Sequence, residues 1–361
     1  MTFKSVKLSE LVKIKYGKNQ KRVQSDSGNI PIYGTGGLMG YATEALYDKP
    51  SVLIGRKGTI NKVRYVDHPF WTVDTLFYTQ VNESLVFPKY LYFLMSTINL
   101  DNYNEGTTIP SLRTETLNRL EFNIPDLDYQ KKVLLLLNPI DEKVNTNYEI
   151  NQNLQEQAQA LYNRMIIEEA DDTWTPGVLS DVAEITMGQS PKGDTYNENG
   201  IGTVFFQGRA EFGFRFPTRR LYTTEPKRMA KTNDALMSVR APVGDMNVAY
   251  EDCCIGRGLS AIRSKDNHQS FVLYTMFALR EELNVFNGEG TVFGSINRDA
   301  LNSMSINIPP KEVLDRFEEI VSPMDTTIRN NYGEICRLEA IRDSLLPKLM
   351  SGEIDVSDIA L

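Results

Sequence analysis

Cysteine and histidine are scarce in this 361-residue sequence, which has three cysteines and two histidines. Three cysteines, two of them adjacent at Cys253 and Cys254, cannot form the disulfide framework of a small secreted protein. Two histidines without a Cys-x-x-Cys pair supply too few ligands for a structural zinc site. We therefore expect a protein of a reducing compartment that holds no metal.

Long apolar runs and catalytic motifs are also missing. No stretch approaches the roughly 18 residues that a membrane span needs, and residues 1–10 have no signal-peptide core, which predicts a cytoplasmic protein. The Gly-rich segments 34–40 and 188–193 lack the spacing of a dinucleotide or phosphate loop. Since no nucleophile elbow or thiol–imidazole pair is evident, the sequence predicts a protein that binds rather than catalyses and that binds no cofactor itself.

The sequence contains an internal repeat. Residues 106–166 align without a gap with residues 290–350, at an offset of 184, and share 14 identities. Residues 8–17 align with residues 179–188 at an offset of 171. The two copies therefore keep their ends and differ in their middles by 13 residues, as expected of one scaffold that carries two different recognition surfaces.

Each copy reads as a mixed α/β domain followed by a helical segment. Short segments rich in β-branched and aromatic residues predict strands at 51–54, 62–66, 76–81 and 202–206. Longer apolar-periodic stretches predict helices at 87–96 and 270–282. The predicted division is a first domain at 1–125, a spacer helix and linker at 126–176, a second domain at 177–309, and a C-terminal spacer helix and tail at 310–361.

Both helical segments contain the same candidate start. Asn138-Pro139 and Ser322-Pro323 place a good N-cap residue before a proline, and an acid follows two residues after each proline. This pattern predicts that both long helices begin at these prolines and run to Glu169 and Met350.

The long helices carry a heptad pattern that predicts a coiled coil. A length of about 45 Å from Pro139 to about Glu169 exceeds the width of a small domain. This favours antiparallel pairing of the two helices, in a closed pseudo-twofold arrangement, over packing of each on its own domain. Asn147 and Asn331 share one seam position and are expected to fix the register. The predicted pairing residues are Ile140, Val144, Asn147, Leu154, Leu161, Met324, Ile328, Asn331, Leu338 and Leu345.

The net charge of −8 is unevenly distributed along the chain, and this distribution favours nucleic-acid binding. Residues 1–65 carry +8, whereas residues 126–176 carry −6 and residues 310–361 carry −5. A second basic cluster lies between Arg209 and Lys231. A solvated loop is the alternative for any single lysine, but cations clustered with polar residues can hold phosphates and read bases. The predicted DNA-binding residues are Lys18, Asn19, Lys21, Arg22, Tyr33, Thr35, Arg56, Lys57, Thr59, Ser190, Lys192, Gln207, Arg209, Arg219, Arg220 and Arg240.

Several motifs, in this order and partly repeated, resemble the specificity (S) subunits of type I restriction-modification systems. They lie at residues 8–17, 30–34, 106–110, 238–244, 306–309 and 344–354. The resemblance implies two target-recognition domains that each read one half of a split DNA sequence, and two antiparallel helices that set the spacing. At 3.4 Å per base pair, about 45 Å corresponds to about 13 base pairs. Because the resemblance reaches both ends, we expect a subunit that need not dimerise.

The resemblance also implies partners. Two modification subunits would bind S-adenosylmethionine and methylate adenine in double-stranded DNA, and restriction subunits would use ATP and Mg. The acidic helices are the expected docking surface. Two alternatives remain open at this stage, namely a two-lobed scaffold whose basic loops bind acidic proteins, and a fragment of a methyltransferase or nuclease fusion.

Overall fold

The computed structural model describes residues 3–171, 174–288 and 294–360. The chain forms two compact units. The first unit comprises Met1–Asn145 and Ile335–Leu361, and the second unit comprises Thr146–Glu334. Each unit therefore contains one mixed α/β part and one portion of each long helix.

The first unit is built on an antiparallel four-stranded sheet with the order β2-β8-β5-β6. A second sheet has the order β4-β3-β7, and β1 pairs with β9. The elements in chain order are β1 (Lys4–Lys7), α1 (Leu8–Leu11), β2 (Val12–Tyr16), β3 (Ile30–Gly34), β4 (Gly37–Ala42), β5 (Ser51–Gly55), β6 (Val63–Val66), β7 (Trp71–Thr72), β8 (Leu76–Val81), α2 (Pro88–Ser96), α3 (Thr114–Asn118), β9 (Glu121–Ile124) and the long helix α4 (Leu127–Tyr162).

The second unit repeats this plan with the sheet β11-β19-β16-β17 and the pair β10-β20. Its other sheet has the order β12-β14-β13-β18-β15. The elements in chain order are β10 (Thr175–Val178), α5 (Leu179–Val182), β11 (Ala183–Met187), β12 (Tyr196–Asn197), β13 (Thr203–Phe206), β14 (Leu221–Thr223), β15 (Met229–Ala230), β16 (Ala235–Ser238), β17 (Met246–Val248), β18 (Cys253–Ile255), β19 (Leu259–Ser264), α6 (Gln269–Ala278), α7 (Arg280–Asn284), α8 (Arg298–Asn302), β20 (Ser305–Ile308) and the long helix α9 (Lys311–Ser351).

The two units confirm the duplication seen in the sequence. The pair β1-β9 starts with Lys4 opposite Ile124, and the pair β10-β20 starts with Thr175 opposite Ile308. The strand pairs β3-β7 and β13-β18 are both parallel. Most of the additional length of the second copy lies between β13 and β16, where the chain forms β14 and β15, whereas only β4 lies between β3 and β5 of the first copy. The four-stranded sheet and the helices are therefore common to both units, whereas the second sheet differs between them.

Burial explains why α2 and α6 lie on the sheets. Tyr90, Leu91 and Phe93 of α2 are fully buried in one cluster with Val52 and Phe77 of the sheet. In α6, residues 270–276 are all buried. Both faces of β5 are covered, since all five of its residues are buried. A strand buried on both faces favours apolar and β-branched residues, and the β-branched residues of this segment are part of the pattern from which the strand was predicted.

The long helices begin twelve residues earlier than predicted, at Leu127 and Lys311. Pro139 and Pro323 lie inside the helices, so the prediction that they mark the starts was wrong. Each internal proline gives up one backbone hydrogen bond. The turns before Pro139 bury Tyr129, Val133 and Leu137, and the turns before Pro323 bury Leu314, Phe317 and Val321. This apolar burial offsets the loss, and Asp126 Oδ1 caps α4 by accepting from the Tyr129 amide at 2.9 Å.

The helices pair in antiparallel fashion within each unit. In the first unit the Tyr129 hydroxyl donates to the Ile354 carbonyl at 3.1 Å, and Asp141 pairs with Arg342 at 3.2 Å. In the second unit Asn147 donates to Glu334 at 2.8 Å. Asn331 donates to Asn151, also at 2.8 Å. Rising residue numbers on α4 thus meet falling numbers on α9.

The predicted seam residues differ in burial. Val144, Asn147 and Ile328 are buried. The partly buried ones are Ile140, Leu154, Leu161, Met324, Asn331, Leu338 and Leu345. Leu154, Leu161 and Met324 pack against the core cluster of the second unit, which also contains Phe271 and Tyr274 of α6. The helices therefore pair with each other and also pack on the α/β part of their own unit, so the two interpretations weighed for the seam are compatible.

Across the described part of the chain, no helix combines the length and the apolar character needed to cross a membrane.

Candidate nucleic-acid interface

One short turn in the first unit, residues 72–75, holds three of the predicted DNA-binding loops together. This first-unit turn comprises the last residue of β7 and the three residues before β8, and it contacts Tyr33 near the end of β3 and the loops that follow β2 and β5. The backbone hydrogen bonds are Lys18 N–H to Thr72 O at 2.8 Å, Val73 N–H to Tyr33 O at 3.0 Å, and Arg56 N–H to Thr75 O at 2.8 Å. The loops predicted from three separate parts of the sequence are thus brought to one place.

Gly17 explains how closely the turn and the loop approach. A Cβ atom at this position would lie 2.0 Å from the Val73 carbonyl oxygen, which only glycine avoids. Gly188, its counterpart in the repeat, has the same constraint, because a Cβ there would lie 2.1 Å from the Gly256 carbonyl oxygen. The glycine that ends each opening motif therefore marks the point where the loop meets the turn.

The cations around the first-unit turn are available to a ligand. Among the described residues, none of the predicted cations here forms an ion pair with a carboxylate, and Lys18, Lys21, Arg22 and Lys57 are exposed. Arg56 is half-buried, and its Nε donates to the Asp74 carbonyl at 2.7 Å. Thr59 is exposed beside Lys57, whereas the Asn19 side chain accepts from the Lys21 amide at 2.9 Å and shapes its own loop.

Tyr33 and Thr35 lie at the edge of this surface and are half-buried. Burial raises the pKa of the Tyr33 phenol above its ordinary value, although Arg64 acts in the opposite direction. The hydroxyl is therefore protonated at neutral pH, and it lies 3.0 Å from His68 Nε2. Arg64, which the sequence analysis missed, lies over the Tyr33 ring at 5.4 Å and is exposed.

The second unit uses an equivalent turn, residues 256–258, which precedes β19. This second-unit turn also holds three of the predicted loops. The Arg257 amide donates to Ser190 Oγ at 3.2 Å, Gly258 N–H donates to Gln207 O at 3.2 Å, and Val239 N–H donates to Gly258 O at 3.0 Å. Ser190 is half-buried, whereas Lys192, Gln207 and Arg240 are exposed. The two units therefore position their loops in the same way.

Much of the basic cluster predicted in the second unit is matched by carboxylates. Arg209 pairs with Asp245, Arg219 with Glu251, and Arg220 with Glu211. Burial is the largest single influence on the pKa of Arg219 and acts to lower it, but the hydrogen bond to Glu251 and the charge interactions with Glu251 and its neighbours together outweigh burial, so the pKa is raised. The hydrogen bond to Glu211 likewise raises the pKa of Arg220. These arginines remain DNA-binding candidates, but a phosphate would have to compete with their present partners.

Arg215, another member of that cluster, is buried and tied to the long helices. Its side chain is 3% exposed and pairs with Asp325 of α9. It also donates to Gln155 of α4 at 3.2 Å, and its guanidinium lies 5.5 Å from the centre of the Tyr274 ring. Arg215 therefore attaches the α/β part of the second unit to both helices and is closed to DNA.

Three unpaired arginines of the second unit line an open cleft of about 710 Å³ beside the second-unit turn. Arg240, Arg257 and Arg298 contribute to it, together with Ser295 and Asn297. None of the three arginines forms an ion pair within the described part of the chain. Arg240 was among the residues predicted from the sequence, whereas Arg257 and Arg298 were not. The glycines on either side of Arg257 indicate a tight turn and were the signal that could have identified it.

The described residues of the two units do not form a candidate metal-binding site. There, no group of three or more His, Cys, Asp or Glu side chains lies together in a way that could hold a metal ion. Cys253 and Cys254 are buried in β18, and burial raises the pKa of both thiols. What this surface offers is guanidinium, ammonium, hydroxyl and amide groups, which suit phosphates and base edges.

Comparisons with known proteins agree with this arrangement. The family model for the type I restriction modification DNA specificity domain matches residues 1–156 and 171–340. The chain is 30% identical over 300 residues to the MjaX type I restriction enzyme specificity subunit of Methanocaldococcus jannaschii, which covers 76% of this chain and 70% of that protein. It is 23% identical over 349 residues to the MjaIX specificity subunit of the same organism, covering 87% and 80%.

The fold also has a counterpart of known structure. The crystal structure of the type I restriction-modification S subunit from M. genitalium superimposes with a TM-score of 0.61 at 15% identity, and the match covers 97% of this chain and 96% of that one.

Proposed function

The chain belongs to the type I restriction-modification DNA specificity family, and from this premise we propose that each of its two units reads one half of a bipartite DNA site. The chain is the recognition subunit, and the chemistry belongs to other subunits. The observation that carries the proposal is the duplicated turn, which gathers three loops and leaves cations free in each unit. This family membership favours DNA recognition over the scaffold and the fusion-fragment alternatives.

The further parts of the proposal concern the complex. We propose that the chain works in the cytoplasm with double-stranded DNA, two modification subunits and restriction subunits. S-adenosylmethionine would be bound by the modification subunits, and ATP and Mg by the restriction subunits, with none held by this chain. The acidic helical segments, with net charges of −6 and −5, support a docking role for the helices, since they repel DNA and leave their exposed faces to proteins.

The proposed function predicts sequence-selective and salt-dependent binding. Duplexes that carry the methylated sequence, mapped as methylated adenines in cells that contain the chain and its modification subunit, should bind more tightly than scrambled duplexes. Because each phosphate contact releases counterions, the logarithm of the binding constant should fall linearly with the logarithm of the salt concentration. Binding that neither distinguishes sequences nor responds to salt would contradict the proposal.

Arg240 provides a residue-level test. Arg240→Ala should weaken binding of the methylated site by about 5- to 150-fold, which corresponds to about 1–3 kcal/mol for a lost bidentate base contact. Arg316→Ala is the matched control, because Arg316 is an exposed arginine of α9 in the same unit and lies outside the predicted DNA-binding residues. Fluorescence anisotropy with labelled duplexes measures both. Equal losses in the two variants would remove Arg240 from the interface.

A further inference from the structure

The two turns can be aligned residue by residue through their hydrogen bonds. Gly17 N–H donates to Leu76 O at 3.0 Å, and Gly188 N–H donates to Leu259 O at 2.9 Å. Leu76 and Leu259 are therefore equivalent. Counting back two residues along each chain places Asp74 opposite Arg257.

The neighbouring loop confirms this alignment. Lys57 bridges to Ser111 in the first unit, and Arg240 bridges to Ser295 in the second. The next residue of each loop donates to the residue before that serine, with Gly58 N–H to Pro110 O at 2.9 Å and Ala241 N–H to Gly294 O at 3.0 Å. The main-chain hydrogen bonds around Asp74 and Arg257 thus follow the same pattern, and the side chains differ in charge.

Both side chains are free to meet a ligand. Asp74 and Arg257 are exposed, and neither side chain has a hydrogen-bond or ion-pair partner among the residues that the structure describes. Only the backbone of Asp74 is engaged, by Arg56 at 2.7 Å. Arg257 opens into the cleft that also contains Arg240 and Arg298.

A carboxylate that has no protein partner and lies among DNA-binding cations is expected to accept a hydrogen bond from a donor group of a base rather than to contact a phosphate. A phosphate would repel Asp74, and the base edge that a carboxylate can accept from in the major groove is the N4 amino group of cytosine. A free arginine at the same place has the opposite preference, because its guanidinium donates two bonds to the O6 and N7 atoms of guanine.

We propose that Asp74 and Arg257 are equivalent specificity-determining residues, with Asp74 accepting from a cytosine in one half-site and Arg257 donating to a guanine in the other. The inference rests on the proposed function and deepens it. The same position of the shared fold thereby recognises a different base in each half-site.

The test is a selection from a library of random duplexes with the full chain in complex with its modification subunit. Asp74→Asn should replace a cytosine by an adenine at one position of one half-site, because asparagine pairs with adenine. Arg257→Gln should replace a guanine by an adenine at one position of the other half-site. Each variant should bind the original site about 5- to 150-fold less tightly. Asp26→Asn, at an exposed carboxylate of the first unit without a described partner, is the control and should keep the original motif.

If a variant still selects the original sequence of the other half-site, the protein is folded and binds DNA. An unchanged motif in Asp74→Asn or Arg257→Gln would overturn the inference, as would changes that fall in the same half-site. Uniform weakening on all sequences with a shallower salt dependence would also overturn it, since that outcome identifies phosphate contacts. If the unmodified protein selects no motif, the proposed function itself fails, and this outcome is distinct from a motif that the variants leave unaltered.

Discussion

Replacing Arg215 by alanine is expected to lower the free energy of unfolding of the second unit by about 3–5 kcal/mol, because it leaves a partly buried carboxylate without its partner. Asp325, the partner, has a side chain that is 20% exposed and also accepts from the Tyr274 hydroxyl at 3.1 Å. The substitution also removes packing of the guanidinium against Tyr274 and Phe277.

The sequence offers a convenient probe for this measurement. It contains two tryptophans, Trp71 in the first unit and Trp174 in the second. In a Trp71→Phe background, the emission of Trp174 during denaturant unfolding reports on the second unit alone. Arg219→Ala is the control, since its ion pair is exposed and should be worth at most about 1 kcal/mol. A loss in Arg215→Ala no larger than in this control would contradict the assigned role.

A second variant tests whether charge pairing or the other contacts of Arg215 stabilise the second unit. Arg215→Met combined with Asp325→Leu removes both charges and keeps apolar volume, so it should recover most of the stability lost in Arg215→Ala. Failure to recover would indicate that the hydrogen bonds to Gln155 and Tyr274, rather than charge pairing, hold the second unit together.

Matched lengthening of both long helices is expected to change the spacing of the recognised half-sites. The boundary between the units falls at Asn145 and Thr146 on α4 and at Glu334 and Ile335 on α9. Seven residues inserted at both places add about 10.5 Å of helix and keep the heptad phase. If the paired helices set the spacing, the preferred DNA spacer lengthens by about three base pairs. Sites with the original spacer then lose one of their two half-site contacts.

The single insertions are the controls for this experiment. Seven residues added to α4 alone or to α9 alone shift one helix against the other, so the ion pair of Asp141 with Arg342 on one side of the insertion and the hydrogen bond of Asn147 with Glu334 on the other cannot both form. These variants should lose stability and bind neither spacing well. Methylation of duplexes with spacers of graded length measures all three proteins. An unchanged preference in the matched variant would refute the idea that the helices act as a spacer.

The repeat was the part of the fold that the sequence predicted best. Identical residues at constant offsets require no knowledge of packing, and strands such as β5 and β8 carry their own apolar pattern. The helix starts could not be predicted in this way, because Asn138-Pro139 has the local chemistry of a cap. The burial of Tyr129, Val133 and Leu137, which extends the helix past that signal, depends on contacts with distant residues.

The same distinction applies to the candidate site. Charge clustering pointed to Arg219 and Arg220, but their partners Glu251 and Glu211 come together with them only in the folded chain. Asp141 and Asp325 were interpreted as acids near a helix start. In the structure Asp141 pairs with Lys89 at 2.6 Å, and Asp325 pairs with Arg215. Both therefore attach a helix to the α/β part of its unit, a role that no local pattern indicates.

The loops of both units are fastened to their turns chiefly by main-chain amides and carbonyls, with glycine at the closest approach. Main-chain attachment does not depend on which side chains the loops carry. Substitutions at the exposed loop positions can therefore accumulate during evolution without loosening the frame, and the two halves of one gene can diverge toward unrelated targets while sharing a single architecture. Because the main chain supports the loops and the exposed side chains can vary, new specificities can arise by small steps.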